Sequence, residues 1–379
     1  MNQSLFDYIA ACPTAYHAVS HTAAILRNAG YTELPEHTEW NPEGGKGYFV
    51  TRNGSSLIAF RAPVTEDFSG FMMTAAHGDS PCFKIKENAE MADGHHLRLS
   101  VEKYGGMLCS SWTDRPLSVA GRVIVRAEGG IATRLVDLVE PCAIIPNVAI
   151  HMNRNANDGM SYNPAVDMIP LCGEASDAGM LRKKVAEAIG VTEEDILTTD
   201  LFLYNPQRGV EWNGYVSAPR LDDLQCGFAS LTAFLEAGQK EAAPNTVPVF
   251  CLFDNEEVGS RSMQGADSDL LSGTMQRIAQ ALGLSYGALC AGSFLVSADN
   301  AHGLHPNHPE LSDKNGLTAQ LNGGVVIKRN ASKRYTTDGL SEALFTLLCK
   351  NAGVPVQLYA NRPDLPGDST LGAIADAHV

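Results

Sequence analysis

Apolar residues recur along this chain in two rhythms. Between residues 14 and 29, Ala18, Val19, Ala23, Ile25 and Leu26 fall at helical spacing, and Gly30 follows as a terminator. The same spacing returns over 223–237, where Leu224, Phe228, Leu231, Phe234 and Leu235 share one face ahead of Gly238. Further helices are predicted near 267–282, ending at Gly283, and from Ser341 through Cys349, ended by Gly353. Strand-length apolar runs lie at 48–52, 56–61, 71–76, 247–253, 294–298 and 354–359. Strands alternating with helices predict an α/β sheet.

The stretch from about 89 to 216 breaks this rhythm. It carries short β-rich pieces at 97–101, 118–126 and 143–150, separated by Gly pairs and Pro. It divides the remainder into 1–88 and 217–379, so it reads as an inserted subdomain. Gly44-Gly45-Lys46-Gly47 lacks the spacing and the Ser/Thr of a phosphate loop and reads as a turn.

Three of the apolar runs end in chemistry. Residues 71–76 stop at His77-Gly78-Asp79, residues 247–253 at Asp254-Asn255-Glu256-Glu257, and residues 294–298 at Asp299. Asp222 and Asp223 sit just before the 223–237 helix. Adjacent carboxylates at a strand end repel one another and resist desolvation unless a cation or proton sits between them. Open α/β sheets keep their active sites at the carboxyl ends of their strands. His, Asp and Glu together suit a borderline divalent cation such as zinc. There are too many carboxylates for one closed structural site, whereas a metal pair with a bridging carboxylate would use them all. Asp222, leading into a helix between the other ligands, is the natural bridge. Of Glu256 and Glu257, one would bind metal and the other face the bridging water. Asp79, two residues after His77, is placed to accept the imidazole N–H and fix its tautomer.

Composition narrows the partners. The chain has 379 residues, 28 basic against 43 acidic, for a net charge of −15. That argues against nucleic-acid and anionic-membrane partners. No apolar run reaches 18 residues, and the N-terminus has no basic region leading into an apolar core. Nine Cys without a Cys-x-x-Cys pair read as reduced thiols, hence the cytoplasm.

Four motifs, taken together and in this order, resemble a known family. They are His77-Gly78-Asp79-Ser80-Pro81, Arg220-Leu221-Asp222-Asp223-Leu224, Asp254-Asn255-Glu256-Glu257-Val258-Gly259-Ser260 and Ser297-Ala298-Asp299-Asn300-Ala301-His302. They resemble the signatures of the aspartyl aminopeptidases, dodecameric zinc enzymes that include the vacuolar aminopeptidase of yeasts. The resemblance implies a central mixed sheet flanked by helices, of the two-zinc exopeptidase type, with an inserted β-rich subdomain making subunit contacts. It implies two divalent cations, most simply zinc. His77, Asp222 and Glu257 would hold one, and Asp222 and Asp299 the second. Glu256 would be the general base for attack of a metal-activated water on a peptide bond. His151, in Ala149-Ile150-His151-Met152, resembles a residue that reaches a neighbouring subunit's active site as a substrate contact or outer metal ligand. Lys328, in a basic run with Arg329, Lys333 and Arg334, would line the pocket for the first side chain and favour Asp or Glu there. The other three are expected to matter less, as solvent-facing charges.

The family's second zinc also takes a final His from a segment beyond the Asp364-Leu365-Pro366-Gly367 motif. His378 is too close to that motif to match, and the sequence ends at Val379. The expectation is therefore further coding sequence downstream, or else a degenerate member with a weak second metal. An amidohydrolase or carboxypeptidase on a related two-zinc fold, and an inactive assembly subunit, are the alternatives at this stage.

Overall fold

A computed structural model describes residues 2–64, 68–239 and 246–365. Two helices, α1 (Asn2–Ala11) and α2 (Ala15–Asn28), open the chain and lead into strands β1 (Thr32–Glu33), β2 (Gly47–Arg52), β3 (Ser56–Arg61) and β4 (Gly70–His77). Then come β5 (Cys82–Ala92), β6 (His96–Tyr104), β7 (Pro116–Ala127), β8 (Gly130–Asp137), β9 (Ala143–Ile144), β10 (Leu171–Glu174), helix α3 (Met180–Ile189) and β11 (Ile196–Tyr204). A small hairpin, β12 (Val210–Trp212) and β13 (Tyr215–Ser217), precedes α4 (Leu221–Gln239). The chain continues through β14 (Thr246–Phe253), α5 (Leu270–Ala281), α6 (Tyr286–Ala291), β15 (Phe294–Ser297), β16 (Val325–Arg329), α7 (Gly339–Asn351) and β17 (Val356–Ala360).

The first sheet runs β1-β2-β3-β14-β4-β15 and is mixed. β4 pairs in parallel with both β14 and β15, while β3 meets β14 antiparallel. Its strands read as unbroken apolar runs because both faces are covered. On β14, Val249, Cys251 and Phe253 face a core with Leu270, Met275 and Ile278 of α5. Phe250 and Leu252 point the other way, to Leu26 of α2 and Leu224, Leu231 and Phe234 of α4. β3 divides in the same manner, with Ile58 and Phe60 on one side and Leu57 and Ala59 on the other. The alternation of period two is thus present but hidden, since both sets are hydrophobic.

The second sheet is antiparallel and closes on itself. Its order is β11-β5-β6-β10-β9-β7-β8, and β11 also pairs with β7, which makes a ring of six strands with β8 on the outside. Closure removes free edges. Phe83, Leu99, Val101, Val119, Val123, Leu201 and Leu203 fill it, and Leu181 and Val185 of α3 pack against that core. Gly121 allows the close crossing of β7 and β11: a Cβ there would lie 2.0 Å from the Asp200 carbonyl oxygen. β5 enters this sheet at Cys82, and the expected strand at 143–150 shortens to Ala143–Ile144. Ile145 still bridges to Thr113, Pro146 follows, and His151 lies exposed in a turn.

Candidate metal centre

The parallel register of β4, β14 and β15 sets the site. Phe253 lies beside His77 and Ser297 beside Ala75, so all three strands release their chains at one edge. Asp254–Glu257 and Asp299 follow directly. The start of α4 adds Asp222 and Asp223, which are joined by a cis peptide bond and precede the regular helical turns.

His77 is buried at the centre. Its Nδ1 lies 3.1 Å from the Asp79 carbonyl oxygen and 3.3 Å from Asp79 Oδ1. A proton donated there leaves Nε2 facing the opposite carboxylates, the orientation a metal-binding imidazole requires. Nε2 is 3.5 Å from Asp222 Oδ1 and 3.9 Å from Glu256 Oε2. Burial alone would lower the His77 pKa, but hydrogen bonding to Asp222 and Asp79 wins and raises it well above its usual value.

Asp79 is saturated with donors. It accepts from the Tyr104 hydroxyl at 2.7 Å and from the Glu256 and Glu257 amides at 3.2 and 3.1 Å. Burial pushes its pKa up, yet His77, Tyr104 and the Glu257 amide together hold it below the ordinary carboxylate value. The neighbouring acids behave oppositely. Desolvation raises Glu256 to about 7, Glu257 to about 8, Asp223 to about 8 and Asp254 to about 7. Asp223 lies buried beneath the site, accepting from the His77 amide at 3.2 Å, while Asp222 is exposed. Buried carboxylates that outnumber the single imidazole among them are what a cation would stabilise.

Two sets of side chains bring ligand atoms within 4.8 Å of one another: His77 with Glu256 and Glu257, and His77 with Asp222 and Asp223. One imidazole and several carboxylates fit a divalent cation of the zinc type. Asp299 belongs to neither set. Its Oδ1 instead lies 3.1 Å from Lys328 Nζ, which also donates to the Asn300 carbonyl at 2.7 Å. A cleft of about 790 Å³ opens over the site, lined by His77, Asp222, Glu256, Glu257, Asp299, Lys328, His302 and His305, and also by Arg334. His151 is not among its lining residues.

Four residues at the site carried no assigned role in the sequence reading. Tyr104 arrives from the end of β6, and Asn255 Nδ2 donates to its hydroxyl at 2.9 Å. Nothing local marks Tyr104. Asn255 stands at φ 63°, a left-handed conformation that Asn tolerates better than most residues, so its place between strand and carboxylates did hold a signal. Asp223 was legible as an acid but not as a buried one. Gly105 completes the approach of the second sheet: at φ 79°, a Cβ there would lie 3.0 Å from Glu257 Cβ. Residues 366–379, with the end of the 364–372 motif and His378, lie outside the described residues.

Fold and site together define a metallohydrolase of the open-sheet α/β type. The chain belongs to the aminopeptidase I zinc metalloprotease (M18) family, whose model matches residues 8–379, and is thus an enzyme of the zinc aminopeptidase class. It is 41% identical over 392 residues to the "Probable M18 family aminopeptidase 2" of Clostridium novyi (strain NT), covering 99% of this chain and 89% of that protein. Its identity to the protein of the same name from Pseudomonas aeruginosa (strain UCBPP-PA14) is 41% over 389 residues, covering 100% and 89%. Among solved structures, the chain in "Cryo-EM structure of the Ape4 and Nbr1 complex" superposes with a TM-score of 0.94 at 33% identity, covering 99% of this chain and 77% of that one. The S. cerevisiae mApe1 dodecamer superposes at 0.84 and 28% identity, covering 98% and 85%. Among the described residues no helix is long and apolar enough to cross a membrane.

Proposed function

We propose that the protein releases N-terminal residues, chiefly Asp and Glu, from peptides, with Glu256 as general base. The observation that carries this reading is the convergence of His77, Glu256 and Glu257 within 4.8 Å at the ends of parallel strands. His77, Asp222 and Glu257 would hold one zinc. Asp222 and Asp299 would contribute to a second. When bound, zinc polarises the scissile carbonyl and lowers the pKa of a water molecule.

The chain's own residues do the rest. Glu256, pushed up to about 7 by burial, is poised near neutral pH to take a proton and give it back. It accepts the proton of the attacking water and later returns one to the leaving amine. The water's hydroxyl then stays on the acyl carbon of the released residue. Asp79 does not touch the reacting atoms. It orients His77 through Nδ1 and fixes the Glu256 and Glu257 backbone through their amides. Lys328 places positive charge on the cleft wall and so favours an acidic first side chain.

Residues 89–216 would serve as the subdomain of subunit contacts in a homo-oligomer of twelve, as in the yeast mApe1 dodecamer, working in the cytoplasm. His151, exposed on that segment, would then act in a neighbouring subunit's site.

The test is metal analysis joined to product analysis. Two zinc ions per chain and release of free N-terminal Asp or Glu from a peptide series are expected, with N-acetylated peptides left intact. Cleavage from the carboxyl end, or of acetylated peptides, would show a different hydrolase.

A further inference from the structure

A second cavity, of about 300 Å³, lies where the edge of the first sheet meets the second. It adjoins the metal cleft at Asp222 and Pro81, but Lys328 of β16 lines only the cleft. Its walls are aromatic: Tyr16 of α2, Tyr104 of β6, Trp112, and Phe202 and Tyr204 of β11. The volume stands at the lower end of small-molecule sites. Two cations line it, and among the described residues neither pairs with a carboxylate. Arg220 donates through Nη1 to the Asn205 carbonyl and through Nη2 to the Ile9 carbonyl, both at 3.0 Å, and its Nε has no partner. Its guanidinium otherwise rests 5.3 Å from the centre of the Tyr204 ring. Arg115, half-buried, has neither an ion pair nor a hydrogen bond to any described residue. A desolvated guanidinium held only by carbonyls keeps its charge available to an anion. The acids on the same walls are turned elsewhere. Asp79 is 4% exposed and saturated by the Tyr104 hydroxyl and two backbone amides, and Asp254 is 5% exposed and accepts from the Asn255 amide at 2.7 Å.

We propose that this cavity binds a small aromatic carboxylate, with its ring against Trp112, Phe202 and Tyr204 and its carboxylate facing Arg115 and Arg220. The rings offer stacking and edge contacts to a flat apolar body, and the two unpaired guanidiniums match an anion of carboxylate shape. The metal centre feels the ligand through Tyr104, which lines the cavity and donates to Asp79 at 2.7 Å, and Asp79 in turn orients His77. Occupancy therefore acts on turnover rather than on substrate binding. The binding stands apart from the aminopeptidase reading above, and only its effect on turnover rests on that reading.

The experiment uses the zinc-loaded protein, with 3-phenylpropionate as the probe and 3-phenylpropionamide as its neutral counterpart. Calorimetry should show the acid binding about tenfold more tightly than the amide, the size expected of one charge-assisted contact. Arg115→Gln should remove most of that difference and leave the affinity for the amide within about twofold. Ser111→Trp, at an exposed position on the rim, should block both compounds. Raising ionic strength should weaken the acid only. In peptide hydrolysis the acid should lower kcat with KM little changed, and it should do so less in Arg115→Gln. Equal binding of acid and amide overturns the proposal, as does no binding of either. So does an affinity for the acid that survives Arg115→Gln or Ser111→Trp unchanged. A rise in KM at constant kcat places the acid on the metal in the cleft and overturns it as well. No peptide hydrolysis by wild type overturns the aminopeptidase reading, while the calorimetry still decides the binding.

Discussion

The two sheets treat a half-buried acid in opposite ways. On the closed second sheet, Asp200 accepts from Lys84 at 3.0 Å and from Arg122 at 2.8 Å. Burial would raise its pKa, but those two cations outweigh burial and hold it below the ordinary value. At the edge of the first sheet, burial outweighs the attraction of His77 for Glu256, Glu257 and Asp223 and sets Asp254 against Asp79, and their pKa values rise to about 7 or 8. An acid that arrives with its own cations is part of the scaffold. Acids that outnumber the single imidazole among them hold a vacancy of charge, and that is where a metal ion gains most.

The largest expected effect tests the acid with the clearest chemical task. Glu256→Gln should lower kcat by at least about 10²-fold, because an amide cannot take the water's proton. Zinc content measured on the same sample should not change. Near-normal turnover in this variant would dissolve the distinction between the two sheets' acids, as would loss of metal from Glu256→Gln but not from Glu257→Gln.

Next in size is the response of the metal-free protein to pH. The four raised carboxyls bind protons more tightly folded than unfolded, so their contribution to stability is present below about pH 4.5 and is lost as pH rises through 7 to 8. His77, also raised, acts in the same direction. Asp79 and Asp200 are lowered, so their contribution is already complete near pH 5. The melting temperature without metal should therefore fall from pH 5 to pH 8. Zinc at about 100-fold over its Kd should restore about 2.7 kcal/mol at pH 8 and less at pH 5. A melting temperature that climbs over this range, without metal, would contradict the uncompensated state of these acids.

Asp200→Asn probes the other side. It leaves Lys84 and Arg122 without their anion, so the fold should lose about 1–3 kcal/mol, read as a lower melting temperature. Zinc content should hold. If Asp200→Asn strips zinc while sparing stability, the second sheet is not mere scaffold.

The smallest effect crosses between the sheets. Tyr104→Phe removes one of the donors to Asp79 and the acceptor for Asn255 Nδ2. A loss of about 1 kcal/mol, or about fivefold in kcat, is expected, with KM little changed. A change confined to KM would place Tyr104 with the substrate rather than behind His77.

Much of the first sheet was legible in the sequence. The runs at 48–52, 56–61 and 71–76 correspond to β2, β3 and β4, and the helix expected over 223–237 is the body of α4. The strand expected over 143–150 was not, because an apolar stretch carries a β pattern whether or not a partner strand lies alongside, and here Pro146, which has no N–H to give to a ladder, follows the last paired residue. The acids at the strand ends were legible too, since a charged residue at the close of an apolar run stands out in one dimension. Burial was not. Asp222 and Asp223 are adjacent and identical in type, yet the first is exposed and the second has no exposed surface.

By itself the sequence determined where the site-bearing strands of the first sheet end and which ligand types stand there. These are matters of local period and residue chemistry. Only the tertiary structure decided that Tyr104 caps Asp79 from another sheet and that Lys328 reaches Asp299 from β16. Such pairings join residues 25 and 29 apart through different elements, and no local pattern encodes them. The register of packed strands sets those distances, and electrostatic energy depends on distance and burial rather than on order along the chain.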